Sequence, residues 1–417
     1  MTPELAYEEP SIRSWVEWTP ARIVSAEMLA DAGDFRLAAD LCDMIAADDR
    51  VQGVLPVRAR GLLGLPFSFE RSARRSRGHV AAVRALEAEE DWYAMAPSRE
   101  LADLQRWAIL LGVAIAQLVW RQGPRERLIP TLDVWHPHGL RRDSQTGSWT
   151  IRTASGDVDA QDPLRWLLHA PSGLRRPQGC WRAVARWVLL KQYARSDWGV
   201  QGERAAGIRV AIPPLPHPGT PTENSKTNRS ALAEELKRLA RNGGLVLPAG
   251  WDIKIVQAEA RTWETFKAQI DVANSGIAIA LAGQNLTSEV KGGSYAAAEV
   301  HQQIANVLLR ADADALSETL HDRLLVPWAE YNLAGRDQAP WPSWDTSPPE
   351  DLAAKGAAWS ALVDAGTKAE VALAAAGSVS TVDWDEIVRL AAIPVRKRQS
   401  ARAQTEIQHA FANNPKR

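Results

Sequence analysis

The sequence predicts an α+β fold in which long helices carry the centre of the chain and short strands form a sheet in its first half. Apolar residues recur every three or four positions over residues 261–281 and again over 300–324, which is the period of an amphipathic helix. Residues 112–151 instead contain short apolar runs separated by glycine and aspartate turns, which are typical of an antiparallel sheet. At 417 residues, the chain is long enough for two or three domains with large cores.

Helices dominate the predictions for the first 110 residues. The first begins near Thr19 and Pro20, because a capping hydroxyl followed by proline is a common helix start, and it breaks near Gly33. Further helices are predicted over 34–47, 78–93 and 98–108, and residues 48–69 are predicted as a helix that gives way to a strand. The longest apolar run, residues 107–120, is too short to span a bilayer and is interpreted as a buried strand or helix.

The second half alternates between long helices and polar segments. The predicted elements are a helix over 177–198, an extended proline-rich stretch over 207–223, a short helix over 225–242, two strands over 244–257, helices over 261–281 and 300–324, and two alanine-rich helices within 352–390. A glycine pair ends the short helix at residues 243–244. The stretch 336–351 is rich in proline and tryptophan and is predicted as a linker. The basic tail, residues 394–417, is predicted to be solvated or to contact DNA.

The motifs of common nucleotide and metal sites are missing from the sequence. No string matches the phosphate-binding loop GxxxxGK[ST]. His136 and His138 are of a metal-ligating type, but no cysteine or further histidine stands near them, so a turn between strands is the preferred interpretation. We therefore predict no catalytic residue, no metal and no cofactor.

Three stretches of the chain share spaced residues with one known family. The first has a helix ending in Leu-Ala-Gly-Gln, where the family has Leu-Gly-Gln, then Leu-Thr, Gly-Gly-Ser, Val-His and a long helix with Ala-Asp-Ala. Its matching residues are Leu281, Gly283, Gln284, Leu286, Thr287, Gly292, Gly293, Ser294, Val300, His301, Ala311, Asp312 and Ala313. The second contains Lys191, Trp198, Glu203 and Gly207, and the third contains Asp48, Val51, Leu55 and Arg58. Over residues 40–335 the chain thereby resembles the portal proteins of tailed bacteriophages, most closely the Mu-like group.

This resemblance implies a portal fold with an α/β wing, a stem of long helices, a small β-α-β clip and a helical crown. The implied parts are an N-terminal arm at 1–18, the wing at 19–176, stem helices at 177–204 and 258–282, the clip at 205–257, a tunnel loop at 283–295, a long helix directed to the wing and crown at 296–335, the linker at 336–351, the crown at 352–393 and the tail at 394–417.

The resemblance also implies a function without catalysis. Twelve copies would form a ring at one capsid vertex of the virion, assembled in the host cytoplasm, with no membrane involved. The ring would be the channel for DNA packaging and ejection, and it would bind double-stranded DNA without sequence specificity. Its protein partners would be the terminase large subunit, the head–tail connector, and the major capsid and scaffolding proteins.

Three sets of site residues follow from the same resemblance. The DNA-facing tunnel loop would present Gln284, Asn285, Thr287, Ser288, Lys291, Gly292, Gly293 and Ser294. The clip would contact the motor and connector through His217, Glu223, Lys226, Arg229, Glu234, Lys237 and Arg238. The stem would pack through Trp181, Trp187, Trp198, Trp263, Phe266 and Ile270. Lys291 is the one cation of the loop, so twelve copies would form a positive ring that could brake DNA slippage.

Composition is compatible with such a conduit. The chain has 49 Lys and Arg against 50 Asp and Glu, which argues against gripping DNA along a whole surface, and a near-neutral channel wall would not slow DNA. Cys42 and Cys180 give no disulfide framework and indicate a reduced, intracellular protein. The first ten residues lack the pattern of a signal sequence.

Other interpretations stay open. One alternative is a metal-dependent hydrolase with its site on the 112–151 sheet, using His136, His138, Asp133 and Asp143. Another is a different head-completion or scaffold-like protein. The chain has eighteen tryptophans, and six of them stand in polar segments, namely Trp15, Trp18, Trp341, Trp344, Trp359 and Trp384. Core burial is the preferred interpretation for these six, with burial against a neighbouring subunit as the alternative.

Overall fold

The computed structural model describes residues 18–70, 77–87, 90–204, 208–212, 230, 252–256, 262–284, 295–333, 335–347, 352–376 and 382–383. The chain divides into two units, residues 1–346 and 347–417. Helices and antiparallel strands both build the first unit, so the predicted α+β fold is confirmed.

Three helices open the first unit, and they are α1 (Pro20–Ala32), α2 (Arg36–Ala46) and α3 (Asp49–Gly61). The side chain of Thr19 accepts a hydrogen bond from the Arg22 amide at 3.2 Å, which is the predicted N-cap. Helix α1 ends at Gly33, whose φ of 100° lies in the left-handed region that glycine adopts without steric cost.

The single helix predicted over 78–93 is wrong, because the structure has two helices there. These are α4 (Arg77–Glu87) and α5 (Asp91–Met95), and α6 (Ser98–Leu110) follows them. Glu90 precedes α5 with a φ of 62°, which interrupts the helical path. Arg127 donates to the buried Asp91 carboxylate at 2.6 and 2.9 Å, so a tertiary ion pair fixes the second segment in its own direction.

Two antiparallel sheets follow α6. The first consists of β2 (Ala114–Gln122), β3 (Leu128–Trp135) and β7 (Trp166–His169) in the order β3-β2-β7, and the second consists of β4 (Leu140–Arg142), β5 (Trp149–Thr153) and β6 (Gly156–Asp159) in chain order. The predicted antiparallel sheet over 112–151 is thereby confirmed, and it continues to residue 169. The apolar run 107–120 contains both a helix end and a strand, which are separated by Gly112 at a φ of 96°.

The stretch predicted as a linker over 336–351 contains a strand. Strand β1 (Phe67–Glu70) pairs antiparallel with β10 (Trp341–Trp344), in a register that places Phe67 opposite Trp344. The aromatic residues explain this pairing. The Phe67 ring lies 5.0 Å from Trp92 and 4.9 Å from Trp344, so the strand closes an aromatic cluster over α5.

The centre of the chain is mostly helical. Its elements are α7 (Trp181–Arg204), β8 (Ile208–Ile212), β9 (Asp252–Val256), α8 (Thr262–Ala282), α9 (Tyr295–Leu320), a π-helical turn (His321–Leu325) and α10 (Val326–Asn332). Strands β8 and β9 pair antiparallel. The predicted long helices are therefore present, with ends shifted by a few residues. The short helix predicted over 225–242 and the first of the two strands predicted over 244–257 lie outside the described residues.

In the second unit, the structure describes one helix of the two predicted, α11 (Leu352–Ala375). The second predicted helix and the basic tail lie outside the described residues. Among the helices that are described, none is both long and apolar enough to cross a membrane.

One core runs through the first unit, and tryptophan supplies much of its volume. Trp18, which was assigned to an extended arm, is buried, and Trp149 stacks on Phe35 with ring centroids 5.4 Å apart. Trp344 is also buried, whereas Trp341 is 37% exposed. Core burial is thus confirmed for Trp18 and Trp344. Trp359 is partly exposed, and Trp15 and Trp384 lie outside the described residues.

Candidate functional site

Helices α7 and α8 flank the paired strands β8 and β9 in the sequence. The two helices pack closely around Gly276. A Cβ atom built at Gly276 would lie 2.4 Å from Cε2 of Trp187, so the indole ring rests directly on the backbone of α8. Glycine is required there because any larger side chain would occupy the position of the ring.

The predicted stem-packing residues divide into two groups. Trp181 is buried, Trp187 packs against the core, and Phe266 and Ile270 are half-buried. Two others are exposed within the single chain, namely Trp198 at 40% and Trp263 at 46%. They lie near the end of α7 and at the start of α8, close in sequence to β8 and β9.

A buried ion cluster joins α7 to the start of α3. The Lys191 ammonium is fully buried and donates to Asp48 at 3.0 Å and to Asp49, and Arg195 donates to Asp49 at 2.9 Å. Asp48 also caps α3, because it accepts from the Arg50 amide at 2.9 Å. Partial burial alone would raise the pKa of Asp49, but the hydrogen bonds and charges of Lys191 and Arg195 together outweigh this effect and lower the pKa to about 2. The cluster therefore holds α7 and α3 together through paired charges.

A second polar contact, which we call the Arg58 clamp, joins α3 to both helices that border the segment 285–294. Arg58 forms a bidentate pair with Asp312 of α9, with Nε–Oδ2 at 2.7 Å and Nη2–Oδ1 at 2.9 Å. Its Nη1 donates to the carbonyl of Leu281 in the last turn of α8 at 2.7 Å. Gly283 follows the last residue of α8, two positions after Leu281, with a φ of 70°. One guanidinium thus fixes the end of α8 against the middle of α9.

The clamp keeps Arg58 charged. Burial by itself lowers the pKa of the Arg58 guanidinium, but the hydrogen bonds and charge of Asp312 outweigh this effect and raise the pKa above its usual value. The side chains of Arg58 and Asp312 are only 17% and 6% exposed, so the pair is shielded from solvent and salt.

The structure explains the spacing of the stretch from Asp48 to Arg58, which is one of the three stretches that the chain shares with the family. Val51 and Leu55 are buried on the face of α3 that packs in the core, and Asp48 and Arg58 are the polar ends of that same face. Each end meets a residue from another family stretch, because Asp48 pairs with Lys191 and Arg58 pairs with Asp312. Residues that are distant in sequence therefore form two connected contacts.

Sequence reasoning matched these charged residues to a family without predicting their partners. A signal was present, since Lys191 and Asp312 each interrupt the buried face of a long helix, and a charge on such a face requires an opposite charge. The pattern does not show which of the many aspartates and arginines supplies that charge.

The tunnel-loop prediction needs one correction. Gln284 was predicted to face DNA, but it is only 5% exposed and lies between α3 and α9, where it lines an apolar cavity of about 310 Å³ with Val54, Val57 and Leu308. A side chain buried there does not reach the surface. The other predicted tunnel-loop residues, from 285 to 294, and all seven predicted clip residues lie outside the described residues.

Of the four residues of the hydrolase alternative, Asp133 and His136 line one pocket, and His136 and His138 line another, so the four do not meet at a single site. His136 contacts Asp43 at 2.7 Å and His138 contacts Asp40 at 3.0 Å, so each histidine ties the turn before β4 to α2. Asp143 caps its own turn by accepting from the amides of residues 145 and 146. Within the described ranges, no group of three or more His, Cys, Asp or Glu side chains is arranged to hold a metal ion.

Comparison with known proteins identifies relatives. Residues 39–376 match the family model described as the portal protein of Mu bacteriophage. The portal protein of Escherichia phage Mu is 23% identical over 362 residues, which cover 81% of this chain and 66% of that protein. The chain therefore spans just under two thirds of the length of this relative.

Similar solved structures are distant in sequence. The virion of a native gene transfer agent particle contains a chain with a TM-score of 0.48 and 14% identity, covering 91% of this chain and 95% of that one. An HK97-family phage portal protein from Corynebacterium diphtheriae has a TM-score of 0.43 and 12% identity, covering 71% of this chain and 94% of that one.

The family match spans most of the chain and includes all the residues of both buried polar contacts. It agrees with the similarity recognised from the three sequence stretches, and it assigns the chain to structural proteins of the phage virion rather than to enzymes. This chain belongs to the family of portal proteins of Mu bacteriophage.

Proposed function

We propose that copies of this chain close into a ring of twelve at one vertex of a phage capsid, around a channel through which double-stranded DNA passes during packaging and ejection. The observation that carries the proposal is the exposed apolar surface of the long helices α7 and α8. Packing against the same helices of neighbouring copies would cover this surface, as a heterologous interface that closes into a ring requires. The number twelve comes from the family resemblance.

Helix α8 shows this surface most clearly. Val272 and Ile279 are 55% and 52% exposed and lie seven residues apart, which places them on one side of the helix. Ala273, Ile277 and Leu281 are buried within the chain on roughly the opposite side. The helix therefore has a second apolar stripe that the single chain leaves uncovered.

Negative-stain electron microscopy with mass photometry tests this proposal. Purified chain is expected to form rings with a central hole and a mass near twelve times 45.7 kDa. The double variant Val272→Glu/Ile279→Glu is expected to abolish the rings, because charges would then lie in the interface. Tyr93→Glu, at a position 69% exposed on α5 and away from the long helices, is the matched control. Monomers that persist even with capsid and scaffolding proteins, or rings unaffected by the double variant, would contradict the proposal.

Within this ring, the segment 285–294 is proposed to contact DNA. Weak contacts to the phosphate backbone position DNA without reading its sequence. Lys291 is the cation of this segment, and removing it should lower the salt concentration at which filled particles release DNA. Lys291→Ala is compared with Lys368→Ala, an exposed lysine in the second unit. Equal DNA retention by both variants at every salt concentration would exclude this role.

The remaining partners are proposed from the family alone. The terminase large subunit and the head–tail connector would bind the part of the chain between β8 and β9, where the seven predicted clip residues lie. Co-sedimentation of purified terminase large subunit with the rings tests this contact. Absence of binding to intact rings would remove the terminase from the proposed partners while leaving the channel function in place.

A further inference from the structure

A small pocket between the start of α2 and the β4–β5 hairpin has a lining that the portal function does not use. Its volume is about 140 Å³, and its polar lining side chains are Arg36, His136, His138, Arg141 and Arg152. The three arginines are cations of a type that binds anions. Among the described residues, no aspartate or glutamate lines the pocket.

Two of the arginines, Arg141 and Arg152, are fixed by contacts with other residues of the chain. Arg141 is held by Asp34 at 3.1 Å and by the carbonyl of Leu140 at 2.9 Å. Arg152 forms a bidentate pair with Asp157 at 2.8 and 3.1 Å. These two side chains are therefore held in place before any ligand arrives, which lowers the entropic cost of binding.

Hydrogen bonds also fix the two histidines. His136 Nδ1 accepts from the His138 amide at 3.1 Å, so the Nε2 of His136 carries the proton that is donated to Asp43. His138 donates from Nδ1 to Asp40. This leaves Nε2 of His138 without a hydrogen bond among the described residues.

Arg36 is the cation of this group that has no counterion. In the described part of the chain, no carboxylate pairs with its guanidinium, although its own backbone amide donates to Asp34 at 2.9 Å. It stands at the first position of α2, where the helix dipole also favours negative charge. Burial lowers the pKa of the Arg141 guanidinium, the Asp34 carboxylate raises it, and the nearby charges of Arg36 and Arg152 lower it. The pocket thus places three guanidinium groups near one another, and an anion would reduce their mutual repulsion.

We propose that this pocket binds a single phosphate group, held by the guanidinium groups of Arg36 and Arg152. Guanidinium groups bind phosphate oxygens through paired N–H donors. The volume equals that of roughly four to five waters, which suits a tetrahedral oxyanion of five heavy atoms. Free phosphate and a terminal phosphate ester present the same chemistry to such a site.

Isothermal titration of the full chain with sodium phosphate, at constant ionic strength, tests the proposal. Wild-type protein is expected to bind one phosphate per chain, and Arg36→Gln is expected to weaken binding at least tenfold. Arg36 is exposed and has no ion pair, so its substitution leaves the fold intact. Arg175→Gln, at an exposed arginine outside the pocket, is the matched control and should bind as wild type.

A second titration distinguishes the two sources of phosphate. A short oligonucleotide with a 5′-phosphate is compared with the same oligonucleotide lacking it. Preference for the phosphorylated form, lost in Arg36→Gln, assigns the pocket to a terminal phosphate ester, and binding of inorganic phosphate alone assigns it to the free ion. Absence of binding in wild type, or equal binding in wild type, Arg36→Gln and Arg175→Gln, would overturn the proposal.

Discussion

The Arg58 clamp makes a quantitative prediction about stability. The substitution Arg58→Met removes the guanidinium but keeps an unbranched apolar side chain of similar length. It leaves the Asp312 carboxylate, which is 6% exposed, without a cation, and it leaves the Leu281 carbonyl without its 2.7 Å donor. Breaking a buried ion pair in this way costs about 3–5 kcal/mol of the free energy of unfolding.

A double variant separates the charge from the carbonyl. In Arg58→Met/Asp312→Leu no charge is left unpaired, so the remaining cost is the unsatisfied Leu281 carbonyl, about 1–3 kcal/mol. The double variant is therefore expected to be more stable than the single variant by about 2 kcal/mol. Such a recovery of stability indicates a buried pair of interacting charges. If Arg58 and Asp312 made independent contacts, the losses of stability in the two single variants would add in the double variant.

Urea unfolding followed by circular dichroism measures these differences. The control is Arg186→Met, which removes an arginine from the pair with Glu27; the Arg186 side chain is 65% exposed, so the expected loss is at most about 1 kcal/mol. If Arg58→Met costs no more than Arg186→Met, or if the double variant is less stable than Arg58→Met, the clamp does not hold the helices as argued.

Two further predictions concern the helix pair and acid stability. Gly276→Ala should destabilise the chain by about 1–3 kcal/mol, since its methyl group would overlap the Trp187 ring, whereas Gly199→Ala on α7 meets open space and should be neutral or slightly stabilising in the same thermal melts. His169 is fully buried and hydrogen-bonded to Thr319 at 2.9 Å, and burial lowers its pKa to about 4. The pKa of His169 in the folded chain lies below its unfolded value of about 6.5, so the contribution of His169 to the free energy of unfolding is fully present above pH 6.5. This contribution falls by about 3 kcal/mol in total as the pH falls towards 4. His169→Asn should flatten this part of the stability–pH curve, and an unchanged curve would contradict the assignment.

The long helices could be predicted from the sequence because their cause is local. Apolar residues at helical spacing define α8 and α9 without reference to the rest of the chain, and their observed limits, Thr262–Ala282 and Tyr295–Leu320, lie close to the predicted ones. The antiparallel strands between residues 112 and 151 were predicted for the same reason, since glycine and aspartate mark their turns.

Elements that depend on distant contacts could not be predicted in this way. Strand β10 has only four residues, and one of them is a proline. It forms because Phe67 and Trp92 supply an aromatic surface about 250 or more positions earlier in the chain. The break between α4 and α5 has no local signal, because the helix-favouring residues continue through Glu90, and the Asp91–Arg127 pair decides it. The partners of Lys191 and Arg58 were missed for the same reason.

The Arg58 clamp has a consequence for how this family can evolve. It fixes α8 and α9 to α3 through Leu281 and Asp312, which both lie outside the ten residues from 285 to 294. Doubling the length of a connection between fixed ends costs only about 0.6 kcal/mol in closure entropy. By this closure term alone, insertions and deletions in this segment cost little folding free energy. Such changes can accumulate while the surrounding helices stay unchanged.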